Sequence, residues 1–507
     1  MKRRLSLLVV LGLLAGLMAP MALTAMAEAE VPEIEVMMSP WVSSPMPDYV
    51  DDPYNQWLND TYGANFKLTA STEFDTEILL RFASNNAPDL VIFDNVTQLD
   101  KLYDEGVLLD DWTPYLDKLP NTMANVTDLA KQFFDRDGKM AAVPTAAGDQ
   151  LFSFHIRKDW LDTLGLEAPD SPEALLEVLR AFTHNDPDGN GQDDTYGFTA
   201  AGGGTGSGEL RNLLLLFGHP SFYVSNGEVS HPLLDGSFKE YLDFAKTLVD
   251  EGLIDPDWYT QGWNERKPNL FQGKFGLVWY PSEALLTETN EGRGGDGTVV
   301  DMYEIMDMPS GKLAPNGVIG TIRTVSAECG ADAAKMDIIC KLFEDTALPN
   351  ADYYKLRYGY EIDGFIMKDL GGGSMYINKT DTTQFHACSN AIPESFPALW
   401  NWGKIVCSYA DGYLAGAGEE PDEVVKKISE LNQKWHQMDK YEEDYKILSA
   451  DPSIQEESDR IMSEFEINYL LGNATDYDAF VEQWKNAAGN ALLEDAEQTF
   501  KDYGLME

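Results

Sequence analysis

Strand and helix patterns alternate over residues 33–94, and this alternation limits the possible fold more than any other feature. EIEVMMS (33–39) is a short apolar run typical of a buried strand. YNQWLNDTYG (54–63) has helical spacing and stops at Gly63, and ANFKLTAST (64–72) follows as a second strand. TEILLRFASNNAPDLVIFD (76–94) adds a helix, a turn and a third strand. Such a series predicts an α/β unit with a largely parallel sheet.

The same alternation returns beyond residue 150. LFSFHIRKDW (151–160) predicts a strand that runs into a helix, and SPEALLEVLRAF (171–182) predicts a helix capped by Ser171. Further strands are predicted at KFGLVWY (274–280), VDMYEIMDMP (300–309) and GVIGTIRTVS (317–326). From Glu423 onward the pattern is mostly helical. A chain of 507 residues is too long for one compact core, so we expect two lobes.

The first residues carry the pattern of a secretory signal peptide. A basic stretch (Lys2–Arg4) precedes an apolar run that Pro20 interrupts, and Ala25-Met26-Ala27 offers a small-x-small cleavage site. Residues 1–27 are therefore predicted to be removed during export. The alternative, an uncleaved membrane anchor, is disfavoured by Pro20 and by the cleavage site. We expect a soluble chain in the periplasm or at the outer cell surface, without a lipid-anchor cysteine.

Charge and cysteine usage exclude several kinds of partner and site. There are 85 Asp and Glu against 37 Lys and Arg, a net charge of -48, which repels nucleic acid and anionic membranes. The four cysteines are too few for a disulfide framework, and their spacing fits no zinc pattern. We expect buried, mostly unpaired cysteines, with one or two bridges left open. They are Cys329, Cys340, Cys388 and Cys407.

NDPDGNGQDDTYG (185–197) has the donor spacing of a calcium loop. Calcium takes six to eight oxygen ligands, which a loop supplies best from alternate positions around a glycine. The predicted ligands are Asp186, Asp188, Asn190, the backbone carbonyl of Gln192, and Asp194. They match the first half of the EF-hand pattern, but Gly197 stands where the bidentate Glu would be, so the loop is not an EF-hand. The alternative is a solvated turn rich in Asn, Asp and Gly. A structural Ca²⁺ would stiffen the loop without doing chemistry.

The same loop carries a resemblance to a known family. RKDWLDTLGLEAP, a helix and then NDPDGNGQDDTYGFT resemble the extracellular solute-binding proteins of bacterial ABC importers, in particular the large oligosaccharide-binding branch with alginate-binding and lipoprotein-type members. Other segments agree in order: APDLVIFD with DEGVLLDDWTPYLDKLP, DGKMAAVPT, YGYEIDGF and INYLLGNATDYDAFVEQWKNAAGNALL. Each motif is weak alone, but the ordered set spans essentially the whole mature chain. Members of this branch from Gram-positive bacteria usually carry a lipidated cysteine after the signal peptide, which is missing here. The resemblance therefore leaves open how the mature chain is anchored to the cell.

The resemblance implies a two-lobe periplasmic-binding-protein-like α/β fold (type II), with a hinge between the lobes and a helical C-terminal region. Lobe 1 would comprise residues 31–145 and 312–360, and lobe 2 residues 146–311 and 361–507. The chain would cross between the lobes near Pro144-Thr145, Met308-Pro309 and Tyr358-Gly359. The implied function is the substrate-binding component of an ABC transporter. It would capture a sugar or oligosaccharide in the interlobe cleft and deliver it to the permease subunits, as a monomer.

Candidate cleft residues lie where strands end, because ligands of open α/β sheets bind at the carboxyl ends of strands. Aromatic rings pack on the C–H faces of sugars, while Asp, Asn and Gln bond the hydroxyl groups. The candidates are Trp41, Asp94, Asn95, Asp149, Gln150, Trp279, Tyr280, Trp400 and Trp402. Trp57, Trp112 and Trp160 lie on apolar faces and are expected in the core. Arg157 and Lys158 are left open between ligand contact and solvent.

Two other classes of protein were weighed against a binding protein. A secreted carbohydrate-active enzyme, a glycosidase or lyase, needs two carboxylates that flank the bond, and the abundant acidic residues do not exclude such a pair. The sequence has no HExxH, G-x-S-x-G or P-loop motif, and its six histidines are scattered. A calcium-dependent adhesion module would show repeated calcium loops, and there is one. We therefore expect no enzyme and no catalytic residue.

Overall fold

The structure, a computed structural model, describes residues 31–40, 52–94, 96–146, 151–204, 206–314, 319–347, 350, 352–358, 367–371, 374–378, 412–416, 420–441 and 452–506. Among these residues, no helix combines the length and the apolar character needed to cross a membrane.

The described strands are, in chain order, β1 (Glu33–Met38), β2 (Asn65–Ala70), β3 (Leu90–Phe93), β4 (Asp135–Arg136), β5 (Lys139–Met140), β6 (Val143–Ala146), β7 (Phe152–Arg157), β8 (Tyr196–Phe198), β9 (Tyr223–Ser225), β10 (Glu228–Ser230), β11 (Phe275–Pro281), β12 (Tyr303–Ile305), β13 (Ile319–Val325), β14 (Met367–Gly371), β15 (Ser374–Asn378) and β16 (Gly412–Gly416).

The described α-helices are α1 (Pro53–Tyr62), α2 (Phe74–Ala83), α3 (Thr97–Asp104), α4 (Pro120–Asn125), α5 (Asp128–Phe133), α6 (Lys158–Leu164), α7 (Pro172–His184), α8 (Pro232–Asp235), α9 (Ser237–Asp250), α10 (Lys267–Phe271), α11 (Ser282–Gly292), α12 (Ala327–Gly330), α13 (Ala333–Asp345), α14 (Asp352–Tyr358), α15 (Glu423–Gln437), α16 (Pro452–Leu470), α17 (Tyr477–Trp484) and α18 (Asn490–Asp502). Short 3-10 segments cover Thr113–Lys118, Gly208–Leu216 and Thr298–Asp301.

The first sheet has the strand order β2-β1-β3-β13-β6. Its strands β2, β1 and β3 are parallel, as the sequence predicts, and Val36 of β1 pairs with both Leu68 and Leu90. Asp52 caps α1 by accepting a 2.9 Å hydrogen bond from the Tyr54 N–H, and Gly63 ends it at a φ of 63°. Because the three strands are parallel, their carboxyl ends lie at one edge of the sheet.

The second sheet has the order β12-β7-β11-β8 and is not largely parallel. β11 runs parallel to β8, whereas β7 runs antiparallel to both β11 and β12. The carboxyl ends of β8, β11 and β12 therefore share an edge with the amino end of β7. The second sheet therefore departs from the expected largely parallel arrangement, because β7 lies between β11 and β12 and runs antiparallel to both.

Two separate hydrophobic cores follow these two sheets. The first is built from residues of 34–143 and 322–356, and the second from 154–313, Tyr376 and 424–500. The two cores alternate along the chain, which is the arrangement expected for two discontinuous lobes; we call them lobe 1 and lobe 2. Leu313 packs in the second core, although the predicted boundary assigned it to lobe 1. The finer lobe boundaries stay a prediction.

The tryptophans expected in the core mostly lie there. Trp112 and Trp160 are buried, while Trp57 is half-buried against the first core. Cys329 and Cys340 are buried free thiols, as expected, and Cys388 and Cys407 lie outside the described residues. The C-terminal region is helical, with α15 to α18 packed mainly on the second core.

Candidate functional site

A short connection between β6 and β7 joins the first sheet to the second at the edges where their strands end. β6 ends at Ala146 and β7 begins at Phe152, so these residues lie at most about 20 Å apart. Ala146 pairs with Ile319 at the edge of the first sheet, and Phe152 pairs with Pro281 at the end of β11. Open α/β sheets bind ligands at such strand ends. The side chains at these two edges are therefore the candidate site.

At the lobe 1 edge, a cavity of about 250 Å³ opens beyond the ends of β1, β2 and β3. Its lining residues are Ser39, Thr72, Glu73, Phe74, Asp75, Thr76, Asp94 and Gln98. Ser39 follows β1 and its hydroxyl donates to the carboxylate of Asp94, which follows β3. Partial burial, and then the nearby charge of Asp94, raise the pKa of Asp75. The cavity thus holds crowded carboxylates, hydroxyls and one amide, a set rich in hydrogen-bond acceptors.

At the lobe 2 edge, aromatic rings gather around the end of β11. Trp263 stacks on Tyr280, with ring centroids 4.5 Å apart and planes 16° apart, and its ring is half-buried. Phe152 lies 6.0 Å from Trp263 and 6.1 Å from Trp279. Trp279 also packs edge-on against Phe154 at 4.8 Å. These rings form a continuous aromatic cluster next to the amino end of β7, and Phe152 and Trp263 are its partly exposed members.

A buried arginine supports this aromatic group from below. The Arg266 guanidinium lies 4.5 Å from the Trp263 ring and 5.2 Å from the Tyr280 ring, within cation–π range. Its two terminal nitrogens both pair with Glu209, one of them at 2.9 Å. Gly208 makes this geometry possible, because it has a φ of 53° and a Cβ there would lie 2.1 Å from the Ala201 carbonyl oxygen. The paired geometry indicates an ion pair, although burial raises the pKa of Glu209 to about 7 against the pull of Arg266.

A second acidic residue holds Tyr280 and a lysine. The Tyr280 hydroxyl donates to Glu288 at 3.0 Å, and the Lys267 ammonium lies 3.3 Å from the same carboxylate. Burial raises the pKa of Glu288, while Lys267 and Tyr280 act in the opposite direction. Both described cations next to the aromatic group are therefore already paired with carboxylates.

The structure places the sequence-predicted ligand residues differently from one another. Asp94 lines the lobe 1 cavity. Trp279 is 7% exposed and Tyr280 is fully buried. In this arrangement a ligand would contact the ring of Trp263, which stacks on Tyr280, and not Tyr280 itself. The ligand role of Trp279 stays a prediction. The remaining candidates fall outside the described residues: Trp41, Asn95, Asp149, Gln150, Trp400 and Trp402.

The two basic residues left open by the sequence have partners within their own helix start. Arg157 is buried, pairs with Asp159 at 2.6 and 2.7 Å, and lies 4.1 Å from the Trp160 ring. Lys158 is exposed and pairs with Asp162 at 2.5 Å. Arg157 therefore fixes the junction of β7 and α6.

A larger cavity, about 850 Å³, lies away from the strand ends. Residues of the β4–β5 hairpin, α4, α5 and α18 line it, including Phe133, Arg136, Asp502 and Tyr503. The strand ends are the stronger candidate site, because their position follows from the topology of both sheets.

The acidic loop after α7 brings its predicted calcium ligands together only in part. Asp186 accepts from the backbone N–H groups of Asn190 and Gly191, both at 3.0 Å, and Gly191 has a φ of 74°. The Asn190 side-chain amide bridges Asp188 at 2.9 Å and Asp194 at 3.1 Å.

The carboxylates of this loop alone do not supply the six to eight oxygen ligands of Ca²⁺, so amide and backbone carbonyl oxygens would have to contribute. Asp194 also pairs with Lys274, whose hydrogen bond lowers the pKa of Asp194. Among the described residues, no three His, Cys, Asp or Glu side chains are grouped closely enough to hold a metal. A Ca²⁺ shell at this loop would need the Asn190 oxygen to turn inward and backbone carbonyls, such as that of Gln192, to complete it.

Sequence reasoning missed Trp263, Arg266 and Glu209 in lobe 2, and Asp75 in lobe 1. Trp263 stands in QGWNERKP, a polar segment with a proline. The criterion that selected Trp400, an aromatic residue in a Pro-flanked loop, would have selected Trp263 as well. No sequence signal pairs Glu209 with Arg266, because 57 residues separate them.

Comparisons with known proteins agree with this architecture. The sequence model described as "bacterial extracellular solute-binding protein" matches residues 44–325. The polygalacturonan/rhamnogalacturonan-binding protein YtcQ of Bacillus subtilis (strain 168) is 23% identical over 395 residues, which is 76% of this chain and 75% of that one.

Solved structures of solute-binding proteins show the fold. An HMO-binding, ABC-transporter-associated solute-binding protein from Bifidobacterium longum infantis has a TM-score of 0.67 at 19% identity, covering 94% of this chain and 99% of that one. An EF-hand mutant of the Streptococcus pneumoniae ABC-transporter substrate-binding protein FusA, in complex with fructo-nystose, has a TM-score of 0.63 at 17% identity, covering 93% and 99%. The two-lobe periplasmic-binding-protein-like fold is thereby confirmed.

Proposed function

The chain belongs to the family of bacterial extracellular solute-binding proteins, and we propose that it captures an oligosaccharide between its two lobes for delivery to the permease subunits of an ABC importer. The proposal includes no covalent chemistry. The relatives described above are binding proteins by name, and two of them are named for an oligosaccharide or polysaccharide ligand.

One observation carries the proposal: the two strand-end edges, joined through β6 and β7, offer complementary chemistry for a sugar. The lobe 1 cavity provides acceptors for hydroxyl groups through Ser39, Asp75 and Asp94. The lobe 2 edge provides the half-buried ring of Trp263, which can pack on the C–H face of a sugar ring. Domain interfaces are preferred ligand sites, and closure about a hinge is the expected motion.

The proposed ligand residues combine the described side chains with the sequence candidates. Asp94, Asp75 and Trp263 are the described contacts that we propose, with Trp279 becoming accessible if the lobes move. The sequence candidates outside the described residues keep their proposed roles: Trp41, Asn95, Asp149, Gln150, Trp400 and Trp402.

We also propose that the acidic loop binds a structural Ca²⁺ ion. Asp186, Asp188, Asn190 and Asp194, with the carbonyl of Gln192, provide oxygen donors only, which is the preference of this cation. When bound, the ion would neutralise a loop that joins α7 to β8. The support is the convergence of Asp188 and Asp194 on one amide group of Asn190.

The cellular setting is a proposal of the same kind. Residues 1–27 would act as a cleaved signal peptide, and the mature chain would work as a monomer in the periplasm or at the cell surface. N-terminal sequencing of the secreted protein tests the cleavage, and light scattering tests the monomer. Cleavage elsewhere than after Ala27, or a stable dimer, would contradict these two points.

The proposal is tested by thermal unfolding of the purified protein with a panel of oligosaccharides. A ligand that binds only the folded state stabilises it by about 2.7 kcal/mol at 100 times its Kd. We expect at least one oligosaccharide to raise the melting temperature and to be recovered intact. Release of new reducing ends would indicate the alternative, a glycosidase or lyase. If deletion of the gene left uptake of the bound sugar unchanged, the importer role would be refuted.

A further inference from the structure

We propose that the ligand is an uncharged oligosaccharide and that the site excludes uronate sugars. This inference deepens the proposed function and rests on it. It separates two ligand classes that the named relatives represent, since polygalacturonan is polyanionic whereas fructo-nystose carries no charge.

The described residues that line the lobe 1 cavity provide no positive charge for a sugar carboxylate. Glu73, Asp75 and Asp94 contribute three carboxylates, and none of the described lining residues is a lysine or an arginine. An ionised carboxylate accepts hydrogen bonds and donates none, so it is suited to the hydroxyl donors of a neutral sugar. A uronate placed there would bring a fourth negative charge, and the side-chain donors that line the cavity are all uncharged: the hydroxyls of Ser39, Thr72 and Thr76 and the amide of Gln98. The raised pKa of Asp75, due to partial burial and to Asp94, is consistent with crowding of negative charge at this point.

The lobe 2 edge does contain cations, but each is already neutralised. Arg266 is fully buried and its terminal nitrogens are bound to Glu209. The Lys267 ammonium pairs with Glu288, which also accepts from Tyr280. Arg266 could bind a sugar carboxylate only by releasing Glu209, which is largely buried and would lose its partner. Lys267 has further N–H donors, but its charge is already balanced by Glu288. The surface left for the ligand is the aromatic ring of Trp263.

The charge of the whole chain acts in the same direction. With a net charge of -48, the protein repels a polyanion during approach, and this repulsion is screened beyond about 8 Å at physiological salt. Local exclusion by the cavity persists at high salt, whereas long-range repulsion does not. The two contributions can therefore be separated by measuring binding at two ionic strengths.

The test is calorimetric titration with two matched panels at 20 and 200 mM salt. The uncharged panel contains fructo-, gluco-, galacto- and xylo-oligosaccharides, and the uronate panel contains galacturonate, guluronate and mannuronate oligosaccharides of the same lengths. Fully methyl-esterified oligogalacturonate is included because it keeps the sugar skeleton while losing the charge. We expect an uncharged oligosaccharide to bind at least 100-fold more tightly than any uronate at both salt concentrations.

A charge-removing variant links the selectivity to the lobe 1 cavity. Asp75→Asn keeps the side-chain size. We expect it to reduce the ratio of the affinity for the best uncharged oligosaccharide to that for the best uronate by threefold or more. Asp60→Asn is the matched control, since it removes one exposed charge from α1 of the same lobe and does not line the cavity. It should leave this affinity ratio unchanged.

The outcomes separate this inference from the proposed function. Equal or tighter binding of a uronate would overturn the inference and leave an oligosaccharide-binding protein. An unchanged affinity ratio in Asp75→Asn would also overturn the assignment of selectivity to this cavity. An equal change of that ratio in Asp60→Asn would do the same. If no sugar of either panel binds, the proposed function itself fails.

Discussion

The indole ring of Trp263 lies 4.5 Å from the ring of Tyr280, with the two planes 16° apart. Tyr280 is fully buried at the end of β11, and Trp263 covers it from a loop that precedes α10. The stacked pair therefore extends from the buried core of lobe 2 to the partly exposed ring of Trp263. We propose that a sugar ring of the ligand packs on the ring of Trp263.

Loss of the Trp263 ring should weaken binding without unfolding the protein. We expect Trp263→Ala to lower the affinity for the best oligosaccharide at least tenfold, which is about 1.4 kcal/mol, whereas Trp263→Phe keeps most of it. Titration calorimetry measures both. Trp57→Ala is the control, because it removes a half-buried tryptophan from α1 of lobe 1. Wild-type affinity in Trp263→Ala would refute the stacking role.

Trp279 should behave differently from Trp263, because it is 7% exposed and packs against Phe154. Truncating a buried tryptophan costs about 3–5 kcal/mol. We therefore expect Trp279→Ala to lower the melting temperature markedly, in contrast to Trp263→Ala. Circular dichroism melts compare the two variants, and equal stability of both would contradict the placement of Trp279.

The pair of Arg266 and Glu209 should matter for stability through its burial. Arg266→Met leaves Glu209 largely buried without its partner, which we expect to cost about 3–5 kcal/mol of unfolding free energy. The double variant Arg266→Met/Glu209→Gln should recover much of the loss. Arg180→Met, which breaks a surface pair with Glu251, should cost much less, because exposed ion pairs are screened by solvent. Denaturant unfolding gives these values, and similar losses at both arginines would contradict the account.

Buried histidines predict a pH dependence of stability. Burial lowers the pKa of His155 to about 4 and that of His231 to about 3, so both stay neutral in the folded protein. The unfolded chain takes up these protons near its ordinary histidine pKa of about 6.5, and each histidine therefore reduces stability by about 1.4 kcal/mol per pH unit as the pH falls below that value. Glu209 acts oppositely, because a pKa raised to about 7 favours the folded state as the pH falls from 7 towards 4.5.

The histidine contribution can be isolated with one variant. His231 accepts from the Leu233 N–H at the start of α8, and asparagine offers a comparable capping acceptor. Between pH 6.5 and pH 5, we expect the wild type to lose about 2 kcal/mol more than His231→Asn. Denaturant unfolding at the two pH values measures this difference. Parallel losses in the two proteins would show that His231 does not stay neutral.

The calcium proposal predicts a stability change on metal removal. Chelator, Asp186→Ala and Asp188→Ala should each lower the melting temperature, with chelator having no further effect on the variants. Asp193→Ala is the control, since it lies in the same loop outside the alternating positions and is exposed. Melting curves that ignore chelator, or an equal effect of Asp193→Ala, would contradict a calcium site.

Local pattern was enough to predict many of the helices and strands but not their pairing across the chain. β1 begins at Glu33, α7 is capped by the Ser171 hydroxyl, and β11 covers the run that ends in Trp279 and Tyr280, as expected. These features depend on periodicity and capping, which are written in neighbouring residues. The strand expected over 300–309 is only Tyr303–Ile305, because a 3-10 turn at Thr298–Asp301 takes the residues before it.

The direction of β7 and the make-up of the site could not be read from the sequence. A strand pattern does not show its orientation, so the antiparallel pairing of β7 with β11 appears only in the structure. Tyr280 is expected in the ligand cleft because it ends a strand, but in the structure its ring is buried beneath Trp263, which lies 17 positions earlier in the chain. Contacts between residues distant in sequence decide exposure, and a single sequence does not record them.

The central claim, that one oligosaccharide is held by both lobes at once, is tested most directly by titrating three proteins with the same best ligand. They are the wild type, Asp94→Asn in the lobe 1 cavity and Trp263→Ala at the lobe 2 edge. The account predicts one site per chain in the wild type and at least a tenfold loss of affinity in each variant. Wild-type affinity in either variant would contradict a ligand shared between the lobes.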